Sequence, residues 1–526
     1  MARVLVTEKI ADIGVAKLRH AGHEVQVRTG MSPEELLEAV PGVHGLVIRS
    51  ATQVTAEVFE AGSDLVIVGR AGVGLDNVDV DAATDHGVLV VNDTLSNITS
   101  AAEHTMAMIL AQARNIPQAH TALVDGRWER SRWEGIELSD KTLGIIGLGR
   151  IGRLVAERAL AFAMRVIASD PYVSEDVALR SVMSLVSVEE LVAESDFITI
   201  HVARTPETVG LIDSEMLKLA KPNLRIVNVS RGGIVDEADL ADAVASGRIA
   251  GAALDVFDGE PITESPLFEL DSVVVTPHLG ASTEEAQSKA GEAIAEQVLL
   301  ALAGEFVPAA VNVAAKNVPD ALRPYLPLAE QLGGLFGSLC DRLPKVLEVE
   351  LVGGIGKSDS TVAVMAVVKG LLSAVSDMQV SYVNALAMAG ERGMEVRAVS
   401  TPDSKEHLNL LSVRGDGHSL GGSISGTRRA PVLLAANGHS LHMPPAEHMI
   451  LLSNDDRPGM IGEVGTLLGN AGINILDMSV GRSPAGEGAS MVIAISQPMP
   501  REVADALAAI DGVQAARSMG LTRVRD

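Results

Sequence analysis

An arginine, a glutamate and a histidine follow three successive apolar runs in the middle of the chain. Arg231 lies in NVSRGGIVDE, Glu260 in LDVFDGEP and His278 in VVVTPHLGAST. An open α/β sheet places its ligands at the carboxyl ends of its strands, so we expect these side chains to meet at one edge of a sheet. Taken singly, they would more often be a loop salt bridge, a solvated carboxylate and a surface histidine. Their occurrence at successive strand ends favours catalysis.

Moving a hydride between a 2-hydroxy acid and nicotinamide needs three protein groups. A base must take the hydroxyl proton, and His278 suits this role because the pKa of free imidazole lies near neutrality. A cation must hold the carboxylate, which Arg231 can bind with two parallel hydrogen bonds. Glu260 can orient the imidazole and stabilise its charged form. We therefore predict Arg231, Glu260 and His278 as the catalytic set.

The stretch TLGIIGLGRIG, residues 142–152, has the spacing Gly147-x-Gly149-x-x-Gly152 after a short apolar run. A helix pattern follows it, and Asp170 ends the next predicted strand. The glycines let the backbone approach a pyrophosphate at a helix N-terminus. Asp170 would accept hydrogen bonds from the adenosine ribose and repel a 2′-phosphate, which favours NAD over NADP. The alternative is a tight strand-to-helix turn with an unrelated aspartate.

Composition excludes several classes of protein. The 526 residues suggest about three to five domains, and no apolar run is long enough to span a membrane. The net charge of −26 disfavours nucleic acid and anionic lipid as partners. The only cysteine, Cys340, cannot form an intrachain disulfide, no metal site is predicted, and the N-terminus has no secretory signal pattern, so we expect the cytoplasm. An anionic ligand would need singly placed arginines, and the candidates are Arg49, Arg70, Arg130, Arg132 and Arg231.

Strand and helix patterns divide the chain into several units. Residues 1–95 alternate short apolar strands with helices, which predicts a parallel sheet, and a second α/β series begins at the glycine motif. Residues 317–445 mix strands with glycine-rich turns, and we assign no chemistry to them. Residues 449–526 follow the order βαββαβ of a ferredoxin-like unit.

The motifs GLGRIG, NVSRGGIVDE, LDVFDGEP and VVVTPHLGAST together resemble the D-isomer-specific 2-hydroxyacid dehydrogenases. The segment DRPGMIGEVGTLLGNAGINI resembles an amino-acid-binding ACT domain, and the whole chain is similar to the long members of the family. The resemblance implies an α/β fold in which a Rossmann nucleotide-binding domain is inserted in a flavodoxin-like substrate domain, followed by an α+β intervening domain and the ferredoxin-like ACT domain. The implied boundaries are 1–97 with 284–312 for the substrate-binding domain, 98–283 for the NAD-binding domain, 317–445 for the intervening domain and 448–526 for the ACT domain.

The resemblance also assigns residues to the cleft between the first two domains. On the substrate side it implies Arg49, Ser50, Val73, Gly74 and Asn97. On the cofactor side it implies Arg150 and Ile151 at the pyrophosphate, Val202 near the adenine, and Ser230, Asp255 and Ala281 around the nicotinamide. Arg49 fits anion binding on physical grounds as well, because it follows the predicted strand GLVI.

The ACT-like segment predicts an effector site. Asn454 and Asp456 end its first strand, Gly459 precedes a helix, and Asn474 begins its second strand. Such groups could bind the carboxylate and ammonium of an amino acid, although Asn, Asp and Gly also dominate ordinary turns. The resemblance implies L-serine as effector. Asn454 stands where serine-inhibited relatives are expected to have a histidine or an aromatic residue, which puts the affinity and the identity of the ligand in question.

The implied function is NAD-dependent oxidation of a phosphorylated 2-hydroxy acid at the first step of L-serine biosynthesis, in a homotetramer. One alternative is a dehydrogenase for another 2-hydroxy acid, such as 2-hydroxyglutarate, glyoxylate or lactate. A second alternative, from another class, is a dinucleotide-sensing binding protein like the corepressors built on the same fold.

Overall fold

The computed structural model describes residues 1–173, 184–314, 318–340, 342–376, 379–403, 408–482 and 488–521, which form four β-sheets with associated helices. Residue 317, where the intervening domain is predicted to begin, and residues 522–526 of the predicted ACT domain lie outside the described residues. No helix among the described residues is long and apolar enough to cross a bilayer.

The N-terminal sheet has five parallel strands in the order β2-β1-β3-β4-β5. This is the flavodoxin-like strand order. Strands β1, β3, β4 and β5 are almost continuously buried, as expected for a parallel sheet covered on both faces. The elements are β1 (Arg3–Val6), α1 (Asp12–His20), β2 (Glu24–Val27), α2 (Pro33–Ala39), β3 (Gly45–Ile48), α3 (Ala56–Ala61), β4 (Ile67–Arg70), α4 (Val80–Asp85) and β5 (Leu89–Asn92).

The second sheet has seven parallel strands in the order β12-β11-β10-β9-β6-β7-β8. Counted from β6, this is the Rossmann order 3-2-1-4-5-6 with a seventh strand added at one edge. Its strands are β6 (Thr142–Ile146), β7 (Arg165–Ser169), β8 (Ser184–Leu185), β9 (Phe197–Ile200), β10 (Arg225–Asn228), β11 (Gly251–Leu254) and β12 (Val273–Val275). Its helices are α5 (Ile98–Arg114), α6 (Ile116–Val124), α7 (Arg150–Ala161), α8 (Val188–Glu194), α9 (Ser214–Leu217) and α10 (Glu237–Ala245), with a 3-10 helix at Pro266–Glu269.

After the seventh strand the chain returns to the first sheet. Helix α11 (Glu284–Leu302) places Ile294 and Val298 in the same core cluster as strands β1, β3 and β4. The side chain of Asn312 then closes the edge of that sheet, since its Oδ1 accepts from the Val90 N–H at 3.0 Å and its Nδ2 donates to the Val88 carbonyl at 2.9 Å. The Rossmann unit is thus inserted in the flavodoxin-like unit, which confirms the predicted fold class. The residue boundaries of the domains stay predictions.

The third sheet has six strands in the order β14-β13-β15-β16-β17-β18. Only the β13–β14 pair among them is parallel, so the unit is α+β as predicted. The strands are β13 (Val346–Gly353), β14 (Glu395–Thr401), β15 (Asn409–Gly415), β16 (His418–Ser425), β17 (Ala430–Ala436) and β18 (His439–Met443). The helices are α12 (Leu326–Leu339), α13 (Thr361–Val375) and α14 (Ala385–Glu391), with 3-10 helices at Arg323–Tyr325 and Gly354–Lys357.

The C-terminal sheet is antiparallel, in the order β20-β21-β19-β22, and confirms the predicted βαββαβ unit. One face packs on its two helices through Ile450 and Leu452, and the other face packs on the core of the preceding unit through Met449 and Leu451. The elements are β19 (His448–Asn454), α15 (Met460–Asn470), β20 (Ile475–Arg482), β21 (Ala489–Ile495), α16 (Arg501–Ala508) and β22 (Val513–Gly520).

Candidate active site

The glycine motif forms an open cradle at the N-terminus of α7. Gly147 has φ +93°, and a Cβ on Gly152 would lie 2.2 Å from the Gly147 carbonyl oxygen, so both positions require glycine. A Cβ on Gly149 would meet nothing within 4 Å, which leaves space in front of the helix. No side chain caps the N-terminus of α7. Its first N–H groups can therefore bind a phosphate group, and the residues present fit a dinucleotide.

Asp170 lies beside this cradle at the end of β7. Its Oδ2 accepts from the Leu148 N–H within the glycine loop at 2.8 Å, and its Oδ1 accepts from the Tyr172 N–H at 2.8 Å. An ionised carboxylate has about four acceptor positions, so two remain for ribose hydroxyls. Arg150 and Ile151 begin α7, and a Cβ on Gly147 would lie 2.7 Å from Val202 Cγ1. The structure thus brings the predicted pyrophosphate residues and Val202 together at one loop.

His201 precedes Val202 behind the same loop, and no sequence motif marks it as functional. Its backbone N–H donates to the Ile146 carbonyl at 2.7 Å, and its Nε2 lies 3.1 Å from Thr199 Oγ1. Burial lowers the pKa of His201 from 6.5 to about 4. The imidazole is therefore neutral at pH 7, which suits a side chain packed beneath a cofactor loop.

This buried histidine predicts a pH dependence of stability. Between pH 6.5 and 4 the unfolded chain binds a proton that folded His201 does not, so stability is lost as pH falls through this window, by about 3 kcal/mol in total. We expect the thermal midpoint of unfolding to drop less between pH 7.5 and pH 5 in His201→Gln than in the wild type. Unfolding is measured by the fluorescence of the two tryptophans, Trp128 and Trp133. His20→Gln, at an exposed position, is the matched control. Equal drops in the wild type and His201→Gln would contradict the prediction.

His278 and Glu260 are in direct contact. His278 Nδ1 lies 2.6 Å from Glu260 Oε2, while Glu260 Oε1 accepts from the Phe257 N–H at 2.9 Å. Burial alone would raise the pKa of Glu260, but the hydrogen bonds from His278 and the Phe257 N–H bring this pKa below its usual value. The carboxylate is therefore charged at neutral pH and can stabilise an imidazolium. With Nδ1 bound to Glu260, Nε2 is the nitrogen left for a substrate proton.

Asp255 is hydrogen-bonded to the loop that carries His278. Its side chain is fully buried and accepts from Thr276 Oγ1 at 2.5 Å, the Leu279 N–H at 2.7 Å and the Gly280 N–H at 2.8 Å. Its backbone carbonyl also accepts from the His278 N–H at 2.8 Å. Burial raises the pKa of Asp255, yet hydrogen bonds from His104, Thr276 and Leu279 outweigh this and keep the pKa below its ordinary value. Asp255 is thus a charged residue that positions the His278 loop.

Arg231 meets the substrate-domain loop across the cleft. A Cβ on Gly74 would lie 2.9 Å from Arg231 Nη2, so the guanidinium lies directly against this loop. Arg231 Nη1 donates to the Ser230 carbonyl at 2.7 Å, and the Asn228 amide donates to the Arg231 carbonyl at 2.8 Å. Val73 lies in the same loop, where its carbonyl accepts from the Asn92 amide. The predicted residues Val73, Gly74, Ser230 and Arg231 therefore lie at one junction.

Arg70 lies close to Arg231 on one side and to Arg49 on the other. Arg70 Nε donates to Asn77 Oδ1 at 2.9 Å, and the Asn77 amide donates to the Arg49 carbonyl at 2.7 Å. Burial and then the positive charge of Arg231 lower the pKa of Arg70, and the charge of Arg49 acts in the same direction. The cleft thus gathers three guanidinium groups. Arg132, another of the arginines considered for anion binding, instead forms an ion pair with Asp271. Asp271 precedes β12, at the opposite end of the strands from the cleft.

Two cavities join residues of both domains. One of about 580 Å³ is lined by Ser50, Glu260 and His278, together with Phe257 and Pro261. A smaller one of about 30 Å³ is lined by residues that include Arg49, Asn97 and Ala281. Asn97 Oδ1 is buried, and among the described residues it has no hydrogen-bond partner. Predicted substrate-side and nicotinamide-side residues therefore border common spaces.

The predicted effector residues are not brought together within one chain. Asn454 pairs with Ala489, which pairs with Arg482 at the end of β20, whereas Ile475 at the start of β20 pairs with Ile495. Strands β19 and β20 are joined through α15 and run parallel, so Asn474 lies about 20 Å from Asn454 at the other end of the sheet. Within one chain these residues do not share a site, and their role as effector residues stays a prediction.

The individual effector residues differ in accessibility. Asn454 is only 3% exposed, and its Nδ2 donates to the Asp455 carbonyl at 2.7 Å. Asp456 and Asn474 are exposed, and Gly459, at φ +97°, precedes α15 without a side-chain cap. Across the described part of the chain, no group of three His, Cys, Asp or Glu side chains could hold a metal ion.

Three segments match known domain families. Residues 106–280 match the D-isomer specific 2-hydroxyacid dehydrogenase NAD binding domain, residues 321–430 match the D-3-phosphoglycerate dehydrogenase intervening domain, and residues 448–512 match the ACT domain. The NAD-binding match supports NAD as cofactor, in agreement with the geometry of the cradle.

Relatives match over almost the entire chain. The D-3-phosphoglycerate dehydrogenase of Mycobacterium tuberculosis is 46% identical over 513 residues, which cover 96% of this chain and 97% of the relative. The enzyme of the same name from Methanocaldococcus jannaschii is 41% identical over 521 residues, with 98% and 99% covered.

Solved structures match the first two units. The TT0316 protein of Thermus thermophilus is 35% identical with a TM-score of 0.55, and the match covers 59% of this chain and 99% of that chain. The apo D-lactate dehydrogenase of Escherichia coli is 25% identical with a TM-score of 0.54, at 59% and 100% coverage. With its full-length relatives and all three domain matches, this chain belongs to the D-3-phosphoglycerate dehydrogenases that carry intervening and ACT domains, within the D-isomer-specific 2-hydroxyacid dehydrogenase family.

Proposed function

We propose that the protein oxidises D-3-phosphoglycerate to 3-phosphohydroxypyruvate with NAD, the first step of L-serine biosynthesis. The observation that carries this proposal is the 2.6 Å His278–Glu260 pair in a cleft that also gathers three arginines. A simple 2-hydroxy acid offers one carboxylate. A phosphorylated one offers a second anionic group, which matches the additional guanidinium groups.

The chain's own residues account for binding and for proton transfer. Arg231 holds the carboxylate, and Arg49 with Arg70 holds the phosphate. His278 Nε2 takes the hydroxyl proton as the C2–H bond breaks, and Glu260 stabilises the imidazolium that forms. NAD, when bound at the glycine cradle, supplies the hydride acceptor. The cofactor contacts of Ser230 and Ala281, the support that the buried Asp255 gives to the nicotinamide side, and the substrate contacts of Ser50, Val73, Gly74 and Asn97 are part of the same proposal.

A panel of 2-hydroxy acids with and without phosphate tests the substrate. We expect the highest kcat/KM for D-3-phosphoglycerate, and higher activity with NAD than with NADP because Asp170 repels a 2′-phosphate. Preference for lactate, glyoxylate or 2-hydroxyglutarate would favour the first alternative function. Dinucleotide binding without turnover on any acid would favour the corepressor-like alternative.

We also propose regulation by L-serine in a homotetramer. Strand β20 is an edge strand, and antiparallel pairing with β20 of a second copy would bring the second Asn474 toward the sheet end that carries Asp456. Large apolar side chains are exposed on two separate surfaces: Ile116, Leu123, Val124 and Trp128 near α6, and Ile461, Leu476 and Val480 in the C-terminal unit. Two such surfaces support two different dimer contacts, which together form a tetramer.

The cytoplasmic location stays a prediction.

The serine proposal predicts a loss of inhibition without a loss of turnover. Removing the carboxylate or the amide at either end of the composite site, in Asp456→Ala or Asn474→Ala, should raise the L-serine concentration for half inhibition about tenfold or more. Asp505→Ala, on the exposed side of α16, is the control and should leave inhibition unchanged. Wild-type inhibition in both site variants, or none in the wild type, would contradict the proposal.

A further inference from the structure

Helix α5 lies along β12 and is hydrogen-bonded near both ends of that strand. His104 Nε2 is 3.2 Å from Thr276 Oγ1, just after β12, and Gln112 Nε2 donates to the Ser272 carbonyl, just before it, at 2.8 Å. Eight helical residues rise about 12 Å, and the four strand steps from Ser272 to Thr276 rise about 13 Å, so the two bonds match in length. The helix therefore supports the strand that leads into the His278 loop.

The contact made by His104 extends to the buried carboxylate of Asp255 as well. His104 Nε2 lies 3.2 Å from Asp255 Oδ1, and the His104 side chain is 20% exposed. Asp255 Oδ1 is also the oxygen that accepts from Thr276 Oγ1 and the Leu279 N–H. His104 thus joins a cluster that holds both sides of His278.

We propose that His104 is a positioning residue for catalysis, which acts by fixing the Asp255 carboxylate and through it the loop of residues 278–281. His104 does not need to touch the substrate. Its Nε2–H supplies a charge-assisted hydrogen bond to a carboxylate that has no access to water. Without this hydrogen bond, the Asp255 carboxylate has no donor from α5, and the loop of residues 278–281 is no longer connected to that helix. A displacement of about 1 Å at the base is enough to lower turnover strongly.

This inference rests on the proposed function, and its test compares variants of the full chain. We expect His104→Leu to lower kcat about tenfold or more, with KM for the hydroxy acid changed less than about threefold. His104→Gln, whose amide can donate to the same oxygen, should recover kcat to within about threefold of the wild type. His104→Ala is measured beside His104→Leu. Alanine also removes the donor and favours a helix, so this variant provides the test if His104→Leu does not fold.

The matched control is Gln112→Leu, which removes a buried hydrogen bond between the same helix and the other end of the same strand. It should lower stability but leave kcat within about threefold of the wild type, because Ser272 is remote from His278. Equal losses of kcat in Gln112→Leu and His104→Leu would overturn the positioning role, as would unchanged kcat in His104→Leu or no recovery in His104→Gln.

Hydrogen exchange provides a readout that does not require turnover. The amides of Leu279 and Gly280 donate to Asp255, so we expect them to exchange faster in His104→Leu than in the wild type, and to be unchanged in Gln112→Leu. If no hydroxy acid is a substrate, the proposed function fails while faster exchange still supports the positioning role of His104. Unchanged exchange would overturn that role whatever the substrate is.

Discussion

Replacement of His278 by alanine is expected to lower turnover by about two to four orders of magnitude, the usual contribution of a positioned general base. The reason is the geometry of the pair, because the imidazole has one nitrogen on Glu260 and one left for the substrate hydroxyl. No other described histidine makes a hydrogen bond or ion pair with Glu260. Binding of NADH should change little, since the glycine cradle and Asp170 lie at other strand ends of the sheet.

The measurement combines steady-state turnover with an NADH fluorescence titration on the same preparations. His120→Ala, on α6 and distant in sequence from the strand ends, is the control and should retain turnover. A loss smaller than tenfold in His278→Ala would show that His278 is not the base. A parallel loss of NADH binding would indicate that the substitution disturbs the loop, whose residue His278 has φ +56°.

Regular local patterns allowed the nucleotide-binding half to be predicted from the sequence. The glycine spacing, the strand ends and the βαββαβ order are short-range features, and each determines a local conformation that the structure confirms. The contact between Glu260 and His278 was also predictable, because these residues follow neighbouring parallel strands, β11 and β12, whose ends must lie side by side.

Residues that act from elsewhere in the fold were not predictable in the same way. His104 sits in the helix SAAEHTMAMIL among apolar residues, and only the packing of α5 on β12 brings it to Asp255. Arg70 could be noted as a cation at a strand end, but its nearness to Arg231 depends on how the two domains face each other.

The separation of the predicted effector residues also depends on the fold. Residue types and the ACT resemblance selected Asn454 and Asn474, whereas the helical crossover between β19 and β20 places Asn474 at the opposite end of the sheet from Asn454. Residues that are close in sequence therefore form one site only when the chain between them returns to the same end of the sheet. The residues that follow successive parallel strands meet this condition, because the carboxyl ends of these strands lie at the same end of the sheet.

Replacement of Arg231 by alanine is expected to lower kcat/KM for the hydroxy acid by about 30-fold to several thousandfold, the range for removing one partner of a close charge pair. The guanidinium is held by its own loop, through Ser230 and Asn228, and faces Gly74 across the cleft. It is therefore held in place before a ligand binds, as the proposed contact with a carboxylate requires. Arg231→Lys keeps the charge but not the two parallel donors, so it should recover only part of the loss.

The measurement is kcat/KM at constant ionic strength, with NADH affinity determined beside it. Arg165→Ala is the matched control, since Arg165 begins β7 at the opposite edge of the same sheet and pairs with Glu194 in solvent. It should leave kcat/KM unchanged, because exposed ion pairs contribute little. Full activity in Arg231→Lys would show that a point charge is sufficient and would contradict bidentate binding. A greater loss of NADH affinity than of substrate affinity in Arg231→Ala would place the guanidinium on the cofactor instead.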